Sequence, residues 1–174
     1  MMSSIRHNNE NKPFSQLVSA SEPDWSRERC RRFWDPSRKL LKAIRAYQRL
    51  LKRDGWFGKI ISKWFVLHHR FWSVIAGADI PLNSQLGGGL LLPHPNGIVI
   101  HPDAVIGPNC LIFQQVTIVG GVKIGGHVDI GAGAKVIRPV TIGDHVRIGA
   151  NAVVLDDVAT ESVAVGVPAR VETE

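Results

Sequence analysis

IHPDAVIGPNCLIFQQVTIVGGVKIGGHVDIGAGAKVIRPVTIGDHVRIGANAVVLDDVA, residues Ile100 to Ala159, decides the fold. Taken in sixes, its first positions are Ile100, Ile106, Ile112, Ile118, Ile124, Ile130, Val136, Ile142, Ile148 and Val154. The fifth positions, Ala104, Cys110, Val116, Val122, Val128, Ala134, Val140, Val146, Ala152 and Val158, contain no polar residue. Glycine holds the second position at 107, 125, 131, 143 and 149. A six-residue period in unbroken register is the signature of a parallel β-helix. A β-sandwich, whose hairpin turns vary in length, does not keep such a register.

The pattern predicts a stack in which three hexads make one turn and residue i lies beside residue i+18. Stacked strands lie about 4.7–4.9 Å apart and pair their backbone groups with the coil above or below. Branched first-position side chains fill the interior, and the smaller fifth position fits a corner. The second-position glycines are expected to adopt backbone angles closed to other residues. Ile106, Ile124 and Ile142 form one expected ladder, and Ile112, Ile130 and Ile148 another.

Upstream, the chain divides into a flexible N-terminus (1–20), an α-helical region (21–76) and the β-helix with its C-terminal cap (77–171). Ser21-Glu-Pro-Asp24 has the spacing of a helix start, which predicts a short helix to about Trp34. Asp35-Pro36 reads as an N-cap followed by proline at the first helical position. Leu40, Leu41, Ile44, Tyr47, Leu50 and Leu51 then recur at helical spacing, with Gly55 as the stop. A second helix runs from about Phe57 to Ile75. Its apolar arc is too wide for a solvated helix, so it packs on the coil, on its partner helix or on another subunit. Looser hexads extend the register back through Leu82 and Ala76, with Gly88 and His94 at first positions. A histidine in place of an interior aliphatic breaks the local code, and such breaks are expected at functional sites.

The chain carries 21 Lys and Arg against 15 Asp and Glu, and the charge is divided unevenly. Residues 1–75 hold 16 basic against 6 acidic side chains, and residues 76–174 hold 5 against 9. A nucleic-acid or membrane-surface arm and the solvated faces of amphipathic helices both fit this split, and the helical reading is favoured. No nucleic-acid-binding motif accompanies the charge, while peripheral membrane contact by the basic helices stays open. The opening residues lack the apolar run of a secretory leader, and Ile60–Ala78 is interrupted by Lys63, His68, His69 and Arg70. A reducing, cytoplasmic setting is the expectation. Of the two cysteines, Cys110 is expected to be an inert packed thiol.

His94, in the turn-forming Pro93-His94-Pro95-Asn96-Gly97, either satisfies a turn carbonyl or serves as a general base. Asp79, fifteen residues earlier, is close to one coil away and is placed to orient the ring. His127 and His145, eighteen apart, should stack beyond Asn109. A surface polar ladder is the preferred reading there, because zinc normally requires a third protein ligand.

The hexads, HPNGIVIHPDAVIG, GAGAKVI, IGANAVVL and the closing GVPAR resemble serine O-acetyltransferases, which belong to the hexapeptide-repeat acyltransferases. The resemblance covers about Ala43 to Val171 and is dense from Asp79 onward. It implies a mainly β fold, a left-handed parallel β-helix with a short helical N-terminal region, although crossover statistics alone favour the opposite hand. It implies acetyl-CoA as co-substrate with no metal, and acetyl transfer to a hydroxyl, L-serine first. A sugar or other hydroxyl acceptor is the alternative. By resemblance His94 is the catalytic base and Asp79 its support. The amides of Ala132 and Ala150 hold the pantetheine arm, Gly120 and Gly121 match a cofactor-side Gly-Gly, and Arg170 contacts the nucleotide. A homotrimer or dimer of trimers is implied. The sequence departs from the family pattern in four places. Pro93 replaces the acidic residue that binds the serine amine, and Gly121 runs into Val122 without the loop that holds the serine carboxylate. The helical domain is shortened to a stretch in which WDPSR matches an Asp-Pro, and no docking tail for cysteine synthase follows.

Overall fold

The computed structural model describes residues 18–51 and 56–172, without the side chains of 56–62. The expected helix stop at Gly55 and residues 1–17 of the N-terminal segment lie outside the described residues. From Asp79 onward the chain winds into a three-faced solenoid whose strands, up to Val153–Val154, are two residues long, the second of each pair turned inward. One face stacks Gln85–Leu86, Val105–Ile106, Lys123–Ile124 and Thr141–Ile142. The next stacks Leu111–Ile112, Asp129–Ile130, Arg147–Ile148 and Val163–Val165, and Arg170–Glu172 turns back antiparallel to close it. The third stacks Val99–Ile100, Thr117–Ile118, Lys135–Val136 and Val153–Val154.

Both expected ladders are present. Ile106 pairs with Ile124 and Ile124 with Ile142, while Ile130 pairs with both Ile112 and Ile148. These interior side chains are at most 4% exposed, so the aliphatic column is a dry core along the coil axis. Cys110 lies in the same core, where burial pushes its thiol up to about 12.

The register before residue 93 differs from the expected one. Gln85 pairs with Val105, twenty residues on, whereas Val105 pairs with Lys123, eighteen on. Asp79 and Leu91 bridge Val99 and Leu111 at the same longer spacing. Ile80, Leu86 and Leu92 are therefore the interior positions of the first coil, and Gly88 and His94 are not. The two extra residues lie between Leu92 and Asn96, because Gln115 resumes the normal ladder by donating its N–H to Asn96 O at 2.9 Å. His94 thus stands in a bulged corner.

The glycine expectation is also corrected. None of the second-position glycines has a positive φ; the left-handed residues are at the fourth position, among them Asn109, Gln115, Gly121, His127, Gly133, His145 and Asn151. The second-position glycines are required by proximity. A Cβ on Gly107 would lie 2.4 Å from the backbone of Gly125, and one on Gly131 would lie 2.6 Å from Ala150 N.

The N-terminal region packs on the first coil. The expected helix from Ser21 to Trp34 is reduced to one 3-10 turn, Trp25–Glu28, capped by the Asp24 side chain. The polar groups of this segment are held by tertiary partners. Asn109 accepts from Asp24 N and donates to Ser19 O and Glu22 O, and Arg38 donates to Arg27 O. Helix α1, Pro36–Leu51, starts at the expected proline and buries Leu40, Leu41 and Ile44. Helix α2, Trp56–Ala76, packs on it through Trp72 and Ala76. Trp64, Leu67, Phe71 and Val74 remain exposed on its other side.

Gly107→Ala is expected to destabilise the fold by about 1–3 kcal/mol, the usual result of forcing atoms into a packed interior. Asn109→Gly, at a left-handed position, should restore nothing when combined with it. Denaturation of the single and double variants checks this, and an unperturbed Gly107→Ala protein would disprove the close-stacking account.

Candidate active site

Two of the sequence-selected groups share one edge of the solenoid. At the corner leading into the Val99–Val153 face, residues 96, 114, 132 and 150 stack. Gln115 N–H donates to Asn96 O, Gly133 N–H to Gln114 O and Asn151 N–H to Ala132 O, at 2.8–2.9 Å. The His94 bulge begins this column, and Ala132 and Ala150 continue it. At the usual strand spacing they lie roughly 10 and 14 Å from Asn96. Neither the Ala132 nor the Ala150 N–H donates to a protein acceptor among the described residues, so both amides are available to a ligand. Beyond Ala150, Gly149 N–H bonds Ala164 O, and Arg170 pairs with Val165, which puts Arg170 at the far end of the same edge.

Gly120 and Gly121 lie on a different corner, after the Thr117–Ile118 strand. There an added Cβ on Gly120 would stand 2.8 Å from His101 Nδ1. One chain alone does not bring them to the His94 edge. Asp79 bridges Val99, at the foot of the strand that follows His94. The side chains of Asp79 and His94 are both exposed, and neither forms a hydrogen bond or ion pair among the described residues.

His94 lines a cavity of about 530 Å³ between the bulged corner, the end of α2 and residues 31–38. Arg31, Arg32, Trp34, Asp35 and Arg38 form its opposite wall. The sequence reading missed the arginines, because residues 21–34 were expected to be an unremarkable helix; the WDPSR match was the available signal. It also missed Gln114, whose buried Oε1 lacks a hydrogen-bond partner on the edge between His94 and Ala132.

Three comparisons bear on this geometry. The hexapeptide-repeat profile described as "bacterial transferase hexapeptide (six repeats)" matches residues 121–156. Serine acetyltransferase of Synechococcus elongatus is 42% identical over 106 residues, covering 56% of this chain and 43% of that protein. Its counterpart from Mycobacterium tuberculosis is 39% identical over 109 residues, covering 58% and 48%. The chain thus spans less than half the length of these two relatives. The structure of soybean serine acetyltransferase complexed with serine superposes with TM-score 0.66 at 32% identity, covering 79% of this chain and 57% of that one. The β-helix is similar in sequence and in fold to that of the serine acetyltransferases. A mirror-image coil would not superpose in this way, so the hand is the family's left hand.

His127 and His145 stack on a separate corner, as expected, with Nδ1 atoms 2.9 Å apart. Among the described residues no three His, Cys, Asp or Glu side chains converge as a metal-binding group. Two ring nitrogens at this distance require one to donate and the other to accept. Burial holds His127 below the usual histidine range; His145 and Arg27 push it the same way, and Asp129 opposes them. A histidine with a depressed folded pKa binds its proton more readily when unfolded. Its stabilising effect is therefore complete at high pH and is lost as pH falls below about 6.5. His127→Asn, which tolerates the left-handed backbone at this position (φ 52°), should flatten the stability profile between pH 7 and 5. Thermal unfolding across that range is the check, and an unchanged slope would remove the histidine pair as its source.

Proposed function

We propose that the protein transfers an acetyl group from acetyl-CoA to the hydroxyl of a small acceptor, L-serine being the first choice. The observation that carries this reading is the alignment of the His94 bulge with the unpaired Ala132 and Ala150 amides along one edge. Solved relatives titled as complexes with serine and with CoA support it. The thioester arm would run along Ala132 and Ala150, with Arg170 near the nucleotide end. The acceptor hydroxyl would meet His94 in the cavity. His94 accepts the hydroxyl proton as oxygen attacks the thioester carbonyl. The C–O bond forms, the C–S bond breaks, and the proton passes to the departing thiolate. Asp79 acts by orienting the imidazole, which requires its carboxylate to swing to the ring on ligand binding. A sugar or other hydroxyl acceptor is the second reading, favoured by Pro93 and by the direct run from Gly121 to Val122.

The assembly we infer is a homotrimer. It would bring a neighbour's Gly120–Gly121 corner to the His94 edge and cover the exposed α2 side chains, of which Trp64 is 64% and Val74 80% exposed. Light scattering should give a multiple of three times 19.1 kDa, and a stable monomer would overturn the inter-subunit site.

His94→Ala should keep the fold, because the ring has no interior role, and should lower thiol release from acetyl-CoA by roughly 10²–10⁴. Asp79→Asn should cost less, since it disturbs orientation without removing the base. A fully active His94→Ala enzyme would end the proposed mechanism.

A further inference from the structure

One surface of the N-terminal region combines unneutralised positive charge with aromatic rings turned to solvent. Phe33 is 91% and Trp34 58% exposed. Trp34 is braced edge-on against Trp72, with ring centroids 5.6 Å apart, and Lys39 Nζ stands 5.7 Å from the Phe33 ring and 5.7 Å from the Trp72 ring. The exposed rings and this ammonium therefore form one patch. Arg31 and Arg32 immediately precede Phe33, and Lys42 lies one turn beyond Lys39 on α1. All three are exposed and form no hydrogen bond or side-chain ion pair among the described residues. Burial first, then the charges of Lys39 and Lys42, hold His68 below the usual histidine range. The His68 ring lies 6.1 Å from Trp72, which places Lys42 on the same side of the helices. The carboxylates of this region are engaged, Glu28 with Arg45 at 2.9 Å and Asp35 with Arg38 at 3.2 Å. Asp35 is the only acidic residue of the segments 29–51 and 56–78.

We propose that this patch docks the protein on an anionic lipid bilayer, with Phe33 and Trp34 entering the headgroup region and Arg31, Arg32, Lys39 and Lys42 meeting the lipid phosphates. A bilayer presents a layer of negative charge directly over apolar chains, and cations grouped around exposed aromatic rings match that order. A second copy of the chain applied through the same patch would bring like charges together. Among the described residues no helix is long and apolar enough to cross a membrane, so the contact is made at the surface. The patch uses none of the exposed α2 side chains assigned above to the subunit contact. Arg31, Arg32 and Trp34 also line the cavity that His94 faces, so docking sets that cavity against the bilayer.

The test is sedimentation of the full chain with vesicles of phosphatidylcholine alone and of phosphatidylcholine mixed with phosphatidylglycerol. Wild type should bind the mixed vesicles and not the neutral ones. It should be released as salt rises from about 0.1 M to about 1 M, where charges are screened beyond about 3 Å. Arg31→Ala/Arg32→Ala should weaken the partition roughly 30-fold, about fivefold for each basic side chain removed from the surface. Phe33→Ser should weaken it roughly 10-fold or more, the usual loss for an aromatic ring no longer withdrawn from water. Arg31→Lys/Arg32→Lys, which keeps the charge, should bind within about twofold of wild type. Where the double alanine variant fails to fold, the salt dependence and Phe33→Ser decide the matter. Equal binding to neutral and mixed vesicles overturns the proposal, as does binding to mixed vesicles that the alanine and serine variants retain in full. Failure of wild type to bind the mixed vesicles overturns it too. Capture of a random-sequence DNA duplex in their place, lost in the same variants, would assign the patch to nucleic acid.

Discussion

Everything in this molecule depends on backbone pairing between successive coils, at a step of eighteen residues through the regular coils, twenty at the first and sixteen at the last. The strands are too short to be stable individually, so each two-residue segment exists only because the coils on either side satisfy its N–H and C=O groups. That requirement explains the sequence code better than side-chain preference does. Aliphatic first positions fill the axis, and fifth positions pack the corners. Where glycine holds the second position a side chain is excluded, because the next coil's backbone occupies its place, as at Gly107 and Gly143. The conformational strain lies two residues further on, where asparagine, glutamine and histidine adopt left-handed angles at about φ 52–60°.

A stack has two ends, and an end presents unpaired backbone groups. At the C-terminal end the chain folds back as an antiparallel strand on Val163–Val165. At the N-terminal end helices do the same work through side chains. Arg45 donates to Leu86 O and Gly87 O at 2.6 Å, Gln48 to Leu82 O and Ser84 O, and His69 bonds Ile80 O. Arg45 is 9% exposed, and Glu28 balances its charge at 2.9 Å while also accepting from Leu90 N. A buried cation is tolerated here because all three of its nitrogens donate to acceptors and a carboxylate lies beside it. The helices are therefore the cap on the solenoid, and their position follows from the carbonyls they satisfy.

This division explains what could be read from the sequence. The coil was legible because its rule is strictly periodic: both isoleucine ladders and the stacking of His127 on His145 follow from counting by eighteen. The start of the coil was misread because counting backward assumes the period continues, and the sequence around Pro93-His94-Pro95 does not announce two added residues. The segment from Ser21 to Trp34 was misread for a different reason. Its helical spacing is real, but Asn109, eighty-five residues beyond Asp24, captures its backbone, and a contact of that range leaves no local trace. The cavity wall was invisible for the same reason, since Arg31 and Arg32 face His94 only after the whole first coil has formed.

The bulged corner links the folding constraint to the chemistry. An imidazole at a fourth position faces a ladder partner, as His127 faces His145. The proton-accepting role proposed for His94 needs a place outside the ladder. Two additional residues provide one, because the chain leaves the stack at Leu92 and rejoins it at Asn96 without shifting the strands on either side. The proline on each side of His94 restricts the backbone of that excursion, so a ring free of protein hydrogen bonds is carried on a corner of limited conformational freedom. Deleting Pro93 and His94 together would restore the eighteen-residue step and preserve the coil. On the proposed mechanism acetyl transfer would be lost with the irregularity, and the stability of the coil would not depend on it.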